Sequence, residues 1–399
     1  MKPNPPSVEE VLNLLSAVMD PELGADIVTL GMVPEVTVSP AGQVTVTVKL
    51  TIGGCPLRAQ IKKDIESRIG LHPGVAVVSI EWGEMTAEER SEVMLKARWN
   101  AREHAPDTEV PTTCRVLAVA SGKGGVGKSS VTVNLAAAVA AMGFTVGVLD
   151  ADIWGFSVPR LLGIDEPLDA RKVEGSDRPK IIPNELTVGR GLTAGKLKVV
   201  STGFLVGEDT ALMWRGLMLA KAVEQFLRDV QWGDLDYLFI DMPPGTGDVQ
   251  MGLARMLPRT DLLIVTTPAL AAQKVAARAA DMARRSFLRV CGVIENMSGF
   301  TCDHGQSYSL FGSGGGATLA AQVGVPLLGR IPIEAEVAAG GDSGEPVALK
   351  GTGPAAEEFR AIARHLVDEI APPTNMAGCS ARMLGLVAAA LTAHDAAQD

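Results

Sequence analysis

The sequence predicts an α/β protein with a mostly parallel sheet and helices on both faces, preceded by a small α+β domain. Three observations predict it. From Arg115 onward, short β-branched runs alternate with Ala-rich stretches of helical length, the rhythm of strands joined by crossover helices. Residues 7–82 keep a different rhythm, an amphipathic helical stretch followed by alternating apolar and polar runs. The chain of 399 residues also exceeds what one hydrophobic core usually spans, so two domains are expected.

In the first domain, Ser7-Val8-Glu9-Glu10 marks a helix start, because the serine and the glutamate three residues on satisfy each other's backbone donors. Val11, Leu14, Leu15 and Val18 follow at helical spacing. After the turn Asp20-Pro21-Glu22, residues 33–38 and 43–51 alternate as two strands joined at Ser39-Pro40-Ala41-Gly42. A helix over 56–69 and a strand over 75–81 complete the unit. The charged, then Pro- and Thr-containing stretch that follows, with one short helix, reads as a linker. The expected boundaries are 1–83 for the small domain, 84–113 for the linker, 114–370 for the larger domain and 371–399 for a tail. In that tail 383–391 is apolar and fits a packed helix or a loose end equally. Strands of the larger domain are expected at 116–120, 145–150, 237–241, 262–267 and 290–295. Neither an internal repeat nor a low-complexity region is present.

A net charge of -10 argues against sequence-independent binding to nucleic acid or to an anionic membrane, both of which need summed basic contacts. The start of the chain lacks the pattern of a secretory signal. The nearest imitation of a membrane span, 135–148, is about 14 residues long and follows a glycine-rich loop, so a buried helix running into a strand explains it better. A cytoplasmic protein is expected. Five scattered cysteines, Cys55, Cys114, Cys291, Cys302 and Cys379, do not form a disulfide framework, so reduced thiols are expected and any role for them is metal or redox chemistry.

Chemistry concentrates in Gly122-Lys123-Gly124-Gly125-Val126-Gly127-Lys128-Ser129, followed by Ser130, between a predicted strand and a predicted helix. The glycines let successive backbone N–H groups turn toward a phosphate, and the helix points its positive end at the same anion. Lys128 then adds a cation on the β and γ oxygens of ATP, and the Ser129 hydroxyl is a Mg²⁺ ligand. Asp150-Ala151-Asp152 and Asp241-Met242-Pro243-Pro244-Gly245 end strands on the carboxyl edge, where such sheets bind ligands. Asp241 fits the carboxylate that holds Mg²⁺ through water, and the Gly245 N–H fits a contact to the γ-phosphate. A strand-end aspartate also serves as a helix cap or ion-pair partner, and that plainer role stays open here.

The second lysine, Lys123, sets this loop apart, and with it the segment resembles the deviant P-loop of septum-site and plasmid-partition ATPases, arsenite-pump ATPases, nitrogenase iron protein and the Mrp-type iron–sulfur carriers. The resemblance implies a homodimer enclosing two nucleotides, in which Lys123 reaches the partner's phosphates. It also implies that Asp152 orients the attacking water, that Asp150 supports the metal and that Asn296 contacts adenine. Further segments resemble the Mrp-type carriers in particular: Asp150 to Pro159, Met213-Trp214-Arg215-Gly216, Asp241 to Asp248, Glu295-Asn296-Met297-Ser298, Phe311 to Gly316, Gly329-Arg330-Ile331-Pro332 and Gly341 to Pro346. In the first domain Asp20-Pro21-Glu22, Asp26-Ile27-Val28, Leu30-Gly31-Met32-Val33 and Gly54-Cys55-Pro56 resemble the small domain of iron–sulfur assembly factors. The implied activity is slow, Mg²⁺-dependent ATP hydrolysis by a cytosolic carrier that passes iron–sulfur clusters to apoprotein clients, working with other assembly factors and without nucleic acid or membrane.

One departure matters. Members commonly carry Cys-x-x-Cys after the Asn-Met-Ser segment, so that a dimer offers four thiolates to one bridging [4Fe–4S] cluster. Here the segment is Cys302-Asp303-His304-Gly305, leaving Cys302 as the one expected iron–sulfur ligand of that motif, with His304 or Asp303 as candidate substitutes. Cys55 is a candidate functional thiol of the first domain, and Cys114, Cys291 and Cys379 read as structural. The alternative reading is an ATP-driven positioning or partition switch that dimerises on a membrane or DNA surface. Against it, 383–391 has a single nearby arginine, Arg382, and an acidic end. An electron-donating reductase would need cysteines between Asp241 and Arg289, and none is there.

Overall fold

The computed structural model describes residues 4–374 apart from 21–22, 24, 52–57, 87, 91, 94, 97–105, 153–154, 173–178, 190–193, 206–215, 246 and 287. Cys55, Trp154, Met213-Trp214-Arg215, Cys379 and the stretch 383–391 lie outside the described residues. The chain divides into two units, Met1–Ala105 and Pro106–Asp399.

The first unit opens with α1 (Val8–Leu15), started by the expected reciprocal cap: the Glu10 N–H donates to Ser7 Oγ at 3.2 Å and the Ser7 N–H to Glu10 Oε2 at 2.7 Å. Two short strands, β1 (Met19–Asp20) and β2 (Ala25–Asp26), pair antiparallel around the Asp20 turn, where the Leu23 N–H donates to Asp20 Oδ1 at 3.0 Å. Neither was expected, being too short to show periodicity. Next come β3 (Glu35–Val38), β4 (Gln43–Leu50), α2 (Arg58–Gly70) and β5 (Val77–Glu84), with β4 antiparallel to β3 and parallel to β5. The core joins two periodicities: Ile61, Ile65 and Ile69, four apart on α2, and Val44, Val46, Val48 and Leu50, two apart on β4, are all buried. Part of the expected linker packs on this unit, since Met85 and Val93 are buried and Lys49 pairs with Glu89 at 2.5 Å.

The second unit continues β6 (Arg115–Ala120), α3 (Lys128–Ala141), β7 (Thr145–Asp150), α4 (Val158–Leu162), β8 (Asp169–Arg171), β9 (Lys180–Ile182), β10 (Asn184–Val188), β11 (Gly195–Ser201), α5 (Gly216–Asp229) and β12 (Tyr237–Asp241). It ends with α6 (Gly247–Met256), β13 (Asp261–Thr266), α7 (Leu270–Arg285), β14 (Arg289–Thr301), β15 (Ser307–Tyr308), α8 (Gly315–Val323), β16 (Leu327–Ile333), α9 (Ala335–Ser343), α10 (Val347–Lys350) and α11 (Pro354–His365). The sheet runs β10-β11-β7-β12-β6-β13-β14, with β15 and β16 both on β14. All pairings are parallel except those of β10 and β15. Helices cover both faces: α3, α4, α10 and α11 contribute to one apolar cluster, and α5 to α8 to the other.

The five expected strands are present, and their apolar runs are buried along their length, as a sheet covered on both faces requires. The segment 135–148 is the end of α3 and the start of β7, and among the described residues no helix is long and apolar enough to cross a membrane. Sequence patterning missed β11 and β16. Lys196 and Lys198 interrupt the apolar run of β11, and Pro332 sits inside β16, each a reason to demote a strand. Because β8 to β11 precede it in the chain, the strand ending at Asp241 is not the next strand after the one ending at Asp150, although the two are neighbours in space, with Asp241 opposite Asp150.

Candidate functional site

Strand β6 delivers the loop 121–127 to the carboxyl edge of the sheet, and α3 leaves it with its first residue, Lys128, already buried. Gly122 is forced by proximity: a Cβ there would stand 2.1 Å from the backbone carbon of Val275 on α7, so only glycine lets the loop pass under that helix. At Gly124 and Gly125 a Cβ would meet nothing within 4 Å, because both face a cavity of about 310 Å³. That cavity is also lined by Ser121, Gly127, Lys128, Ser129, Ser130, Asp152, Gly155, Ser157, Leu161 and Pro244. A concave site with an open glycine wall, a helix start and a buried lysine fits a polyphosphate.

Beside the loop, Asp241 is fully buried and hydrogen-bonded on both oxygens. Lys128 Nζ donates to its Oδ1 at 2.6 Å and Ser129 Oγ to its Oδ2 at 2.5 Å. Thr132 Oγ1 adds a third bond, to Oδ1, at 2.9 Å. At this distance the buried pair satisfies each member's strongest hydrogen-bonding demand, and removing either would leave the other without its partner. Sequence reading missed Thr132, yet its signal was there: it lies four residues after Lys128 and so shares a helix face with it. The Ser129 hydroxyl and the Asp241 carboxylate are hard oxygen donors side by side, a donor set that fits Mg²⁺ completed by phosphate and water. Among the described residues no group of three or more His, Cys, Asp or Glu converges to hold a metal ion.

Asp150, expected to support the metal, is turned into the chain that follows it. It accepts from the N–H groups of Asp152 at 3.1 Å, Ser157 at 3.2 Å and Val158 at 3.3 Å, and from Ser201 Oγ at 3.1 Å. Burial first, and then the neighbouring Asp241, push its pKa up to about 7, against which Lys128 and the N–H donors pull it down. Asp150 thus organises the loop that carries Asp152, whose Oδ1 accepts from Gly155 N at 3.2 Å and which lines the cavity. Gly245 lies close to the loop, a Cβ there standing 3.8 Å from the Gly122 carbonyl oxygen. Asn296 approaches as well, its Nδ2 donating to the Val126 carbonyl at 2.9 Å, so its amide braces the phosphate loop. Lys123 is exposed.

Asn296 lies inside β14, which runs well past the expected end at 295, to Thr301. That extension pairs with β15 as a hairpin, Phe300 opposite Tyr308 and Thr301 opposite Ser307, and Cys302 stands at its tip. The Gly305 N–H donates to the Cys302 carbonyl at 2.8 Å and the Cys302 N–H to the Gln306 carbonyl at 3.0 Å, closing a turn over Cys302-Asp303-His304-Gly305. Gly305 has φ +79°, the left-handed region in which a side chain is strained, so the position of the missing second cysteine is the one this turn reserves for glycine. Cys302 is partly exposed and does not line the nucleotide cavity. Cys114 and Cys291 are buried, as expected of structural thiols, and burial pushes both up to about 12.

A glycine-walled phosphate cradle, closed by a buried lysine and a hydroxyl at the carboxyl edge of a parallel sheet, defines a P-loop nucleoside triphosphatase. The chain belongs to the NUBPL iron-transfer P-loop NTPase family, whose model matches residues 112–367, and an iron–sulfur cluster assembly protein model matches residues 8–82. The iron–sulfur cluster carrier protein of Mycobacterium leprae is 42% identical over 88% of this chain and 91% of its own length. That of Deinococcus radiodurans is 42% identical over 92% and 96%. Among solved structures, a nucleotide-binding protein in complex with ADP from Archaeoglobus fulgidus is 35% identical, covers 58% of this chain and 87% of its own, and has a TM-score of 0.47.

Proposed function

We propose that the chain is an ATP-hydrolysing carrier that takes up iron–sulfur clusters and passes them to apoproteins, acting as a cytoplasmic homodimer. The observation that carries the reading is the buried cluster of Lys128, Ser129 and Asp241 beside an open glycine-walled cavity. Relatives that carry the name iron–sulfur cluster carrier over nine-tenths of their length support the cargo.

In this reading the backbone N–H groups of residues 122–130 hold the phosphates, and Lys128 leaves Asp241 to neutralise the β and γ oxygens. Mg²⁺, held by Ser129 and by Asp241 through water, would neutralise charge developing between those phosphates. Asp152 orients the attacking water, on a loop fixed by Asp150. Gly245 offers its N–H to the γ-phosphate, Asn296 contacts adenine while its amide braces the loop at the Val126 carbonyl, and the exposed Lys123 serves the partner subunit's nucleotide. Cys302 contributes to the cluster, which is cargo rather than a resident group. Residues 1–83 form the assembly-type domain that meets clients and other assembly factors, 84–113 the linker, 114–370 the ATPase and 371–399 the tail.

The test is the iron and acid-labile sulfide content of anaerobically purified and reconstituted protein, wild type against Cys302→Ala, followed by transfer to an apoprotein. Wild type is expected to hold cluster and lose it to the acceptor, and Cys302→Ala to hold about half as much or less. Absence of cluster from reconstituted wild type would overturn the cargo. In parallel, Lys123→Ala is expected to bind ATP yet lose most of its turnover, and full turnover as a monomer would overturn the dimer.

A further inference from the structure

Asp241 is fully buried and has three donors, only two of which belong to the phosphate-binding apparatus. Lys128 and Ser129 are the residues that must turn to the nucleotide and its metal if the proposed reading is right, and the present inference rests on that reading. When they turn, Oδ1 loses the Lys128 ammonium and Oδ2 loses the Ser129 hydroxyl. By that reading a metal-bound water would replace the Ser129 hydroxyl on Oδ2, but Oδ1 has no such replacement, and a buried carboxylate oxygen left short of its donor penalises nucleotide binding.

Thr132 is placed to supply that donor. It is fully buried, sits one turn inside α3 rather than in the loop, and so keeps its position when the loop engages a ligand. Its single hydroxyl proton faces two acceptors, Asp241 Oδ1 and the Lys128 carbonyl, each at 2.9 Å. While Lys128 occupies Oδ1 the threonine proton is free to rest on its own helix carbonyl. Once Lys128 leaves, the same proton rotates onto the carboxylate with no movement of the backbone. We infer that Thr132 is a positioning residue for the nucleotide reaction: it is the replacement donor that lets Lys128 leave Asp241 while the carboxylate stays aimed at the metal.

The hydroxyl then matters more with nucleotide bound than without it, which separates this role from a packing role. Thr132→Val keeps the shape and removes the donor. Calorimetric titration of the full chain with a non-hydrolysable ATP analogue is expected to show affinity in Mg²⁺ weakened about 10- to 100-fold, the worth of a hydrogen bond to a charged group. The Mg²⁺ concentration for half-saturation is expected to rise in parallel. In EDTA, where Ser129 stays on Asp241, the loss is smaller. The nucleotide-free melting temperature is expected to stay within a few degrees of wild type, and Thr132→Ser to restore affinity and Mg²⁺ dependence. Thr132→Ala, included in case the valine variant does not fold, is expected to behave as Thr132→Val does. Asp241→Asn separates the two levels of the argument. If it binds the Mg²⁺-analogue complex normally, the reading of Asp241 fails and this inference with it. If it loses Mg²⁺-dependent binding while Thr132→Val and Thr132→Ala keep wild-type affinity and half-saturation, the role of Thr132 alone is overturned.

Discussion

Replacing Lys128 by Met tests the electrostatics of the site directly. The ammonium and the Asp241 carboxylate are 2.6 Å apart, with side-chain exposures of 7% and 0%. Methionine preserves most of the stem and removes the charge, leaving a buried carboxylate next to Asp150, a second buried carboxylate that Lys128 also favours in its charged form. Breaking a buried pair from one side costs about 3–5 kcal/mol, and the donors left on Asp241, Ser129 and Thr132, place this case at the lower end. A cost of about 3 kcal/mol lowers the melting temperature of a unit this size by about 5 °C. The measurement is thermal unfolding of the nucleotide-free chain in EDTA, wild type against Lys128→Met, Asp241→Asn and the double variant. Both singles are expected to melt early, and the double variant to melt above the worse single because no uncompensated charge remains. A Lys128→Met protein that melts within about 2 °C of wild type would refute the reasoning, since a buried ion pair cannot lose one member so cheaply.

Three further outcomes are expected. Gly305→Cys puts a thiol where a Cβ meets nothing within 4 Å, at the expense of a left-handed residue, about 1–2 kcal/mol confined to the hairpin; the variant is expected to fold and, after reconstitution, to retain more iron than wild type, measured as iron per chain. Native alkylation with iodoacetamide at pH 8, read by mass spectrometry, is expected to label Cys302 and spare Cys114 and Cys291. Burial raises those two thiols to about 12, so they stay neutral from low pH to well above 8 and react only after unfolding; labelling of all three at one rate would contradict this. Gly122→Ala brings a methyl group to 2.1 Å from the α7 backbone and is expected to abolish nucleotide binding, measured by calorimetry, while the circular dichroism of the sheet survives.

Much of this was legible in the sequence because the site is local. The phosphate loop joins one strand to one helix, so eight consecutive residues specify its geometry, and the strand ends at Asp150 and Asp241 announce themselves as apolar runs closing on a carboxylate. The capping box at Ser7 and Glu10 was readable for the same reason. Long-range facts were not readable. That Asp150 spends its oxygens on residues 152, 157, 158 and 201 depends on β11 lying against β7, and β11 carries lysines where a buried strand would be apolar. The substitution at Gly305 was visible as a missing ligand, but its reason, a turn closed by a residue at φ +79°, required the backbone.

One strand, β14, joins the phosphate loop to the hairpin that carries Cys302. Midway along it Glu295 is buried and accepts from the Gly316 N–H at the start of α8, and Asn296 holds the Val126 carbonyl of the phosphate loop. Both ends of the excursion over residues 297–315, which carries Cys302, are therefore fixed by two adjacent side chains. Between them Met297 has φ +56°, the one non-glycine residue in that region among the described residues, a conformation that costs energy and persists only where its surroundings hold it. Those surroundings include the loop: a Cβ on Gly127 would stand 3.7 Å from the Met297 methyl group and 2.3 Å from Asn296 Nδ2. Val126 and Gly127 thus lie against Asn296 and Met297, six and five residues before Cys302, which follows the last residue of β14. The backbone of β14 and its two adjacent side chains thus join the phosphate loop and the Cys302 hairpin as one packed, hydrogen-bonded continuity.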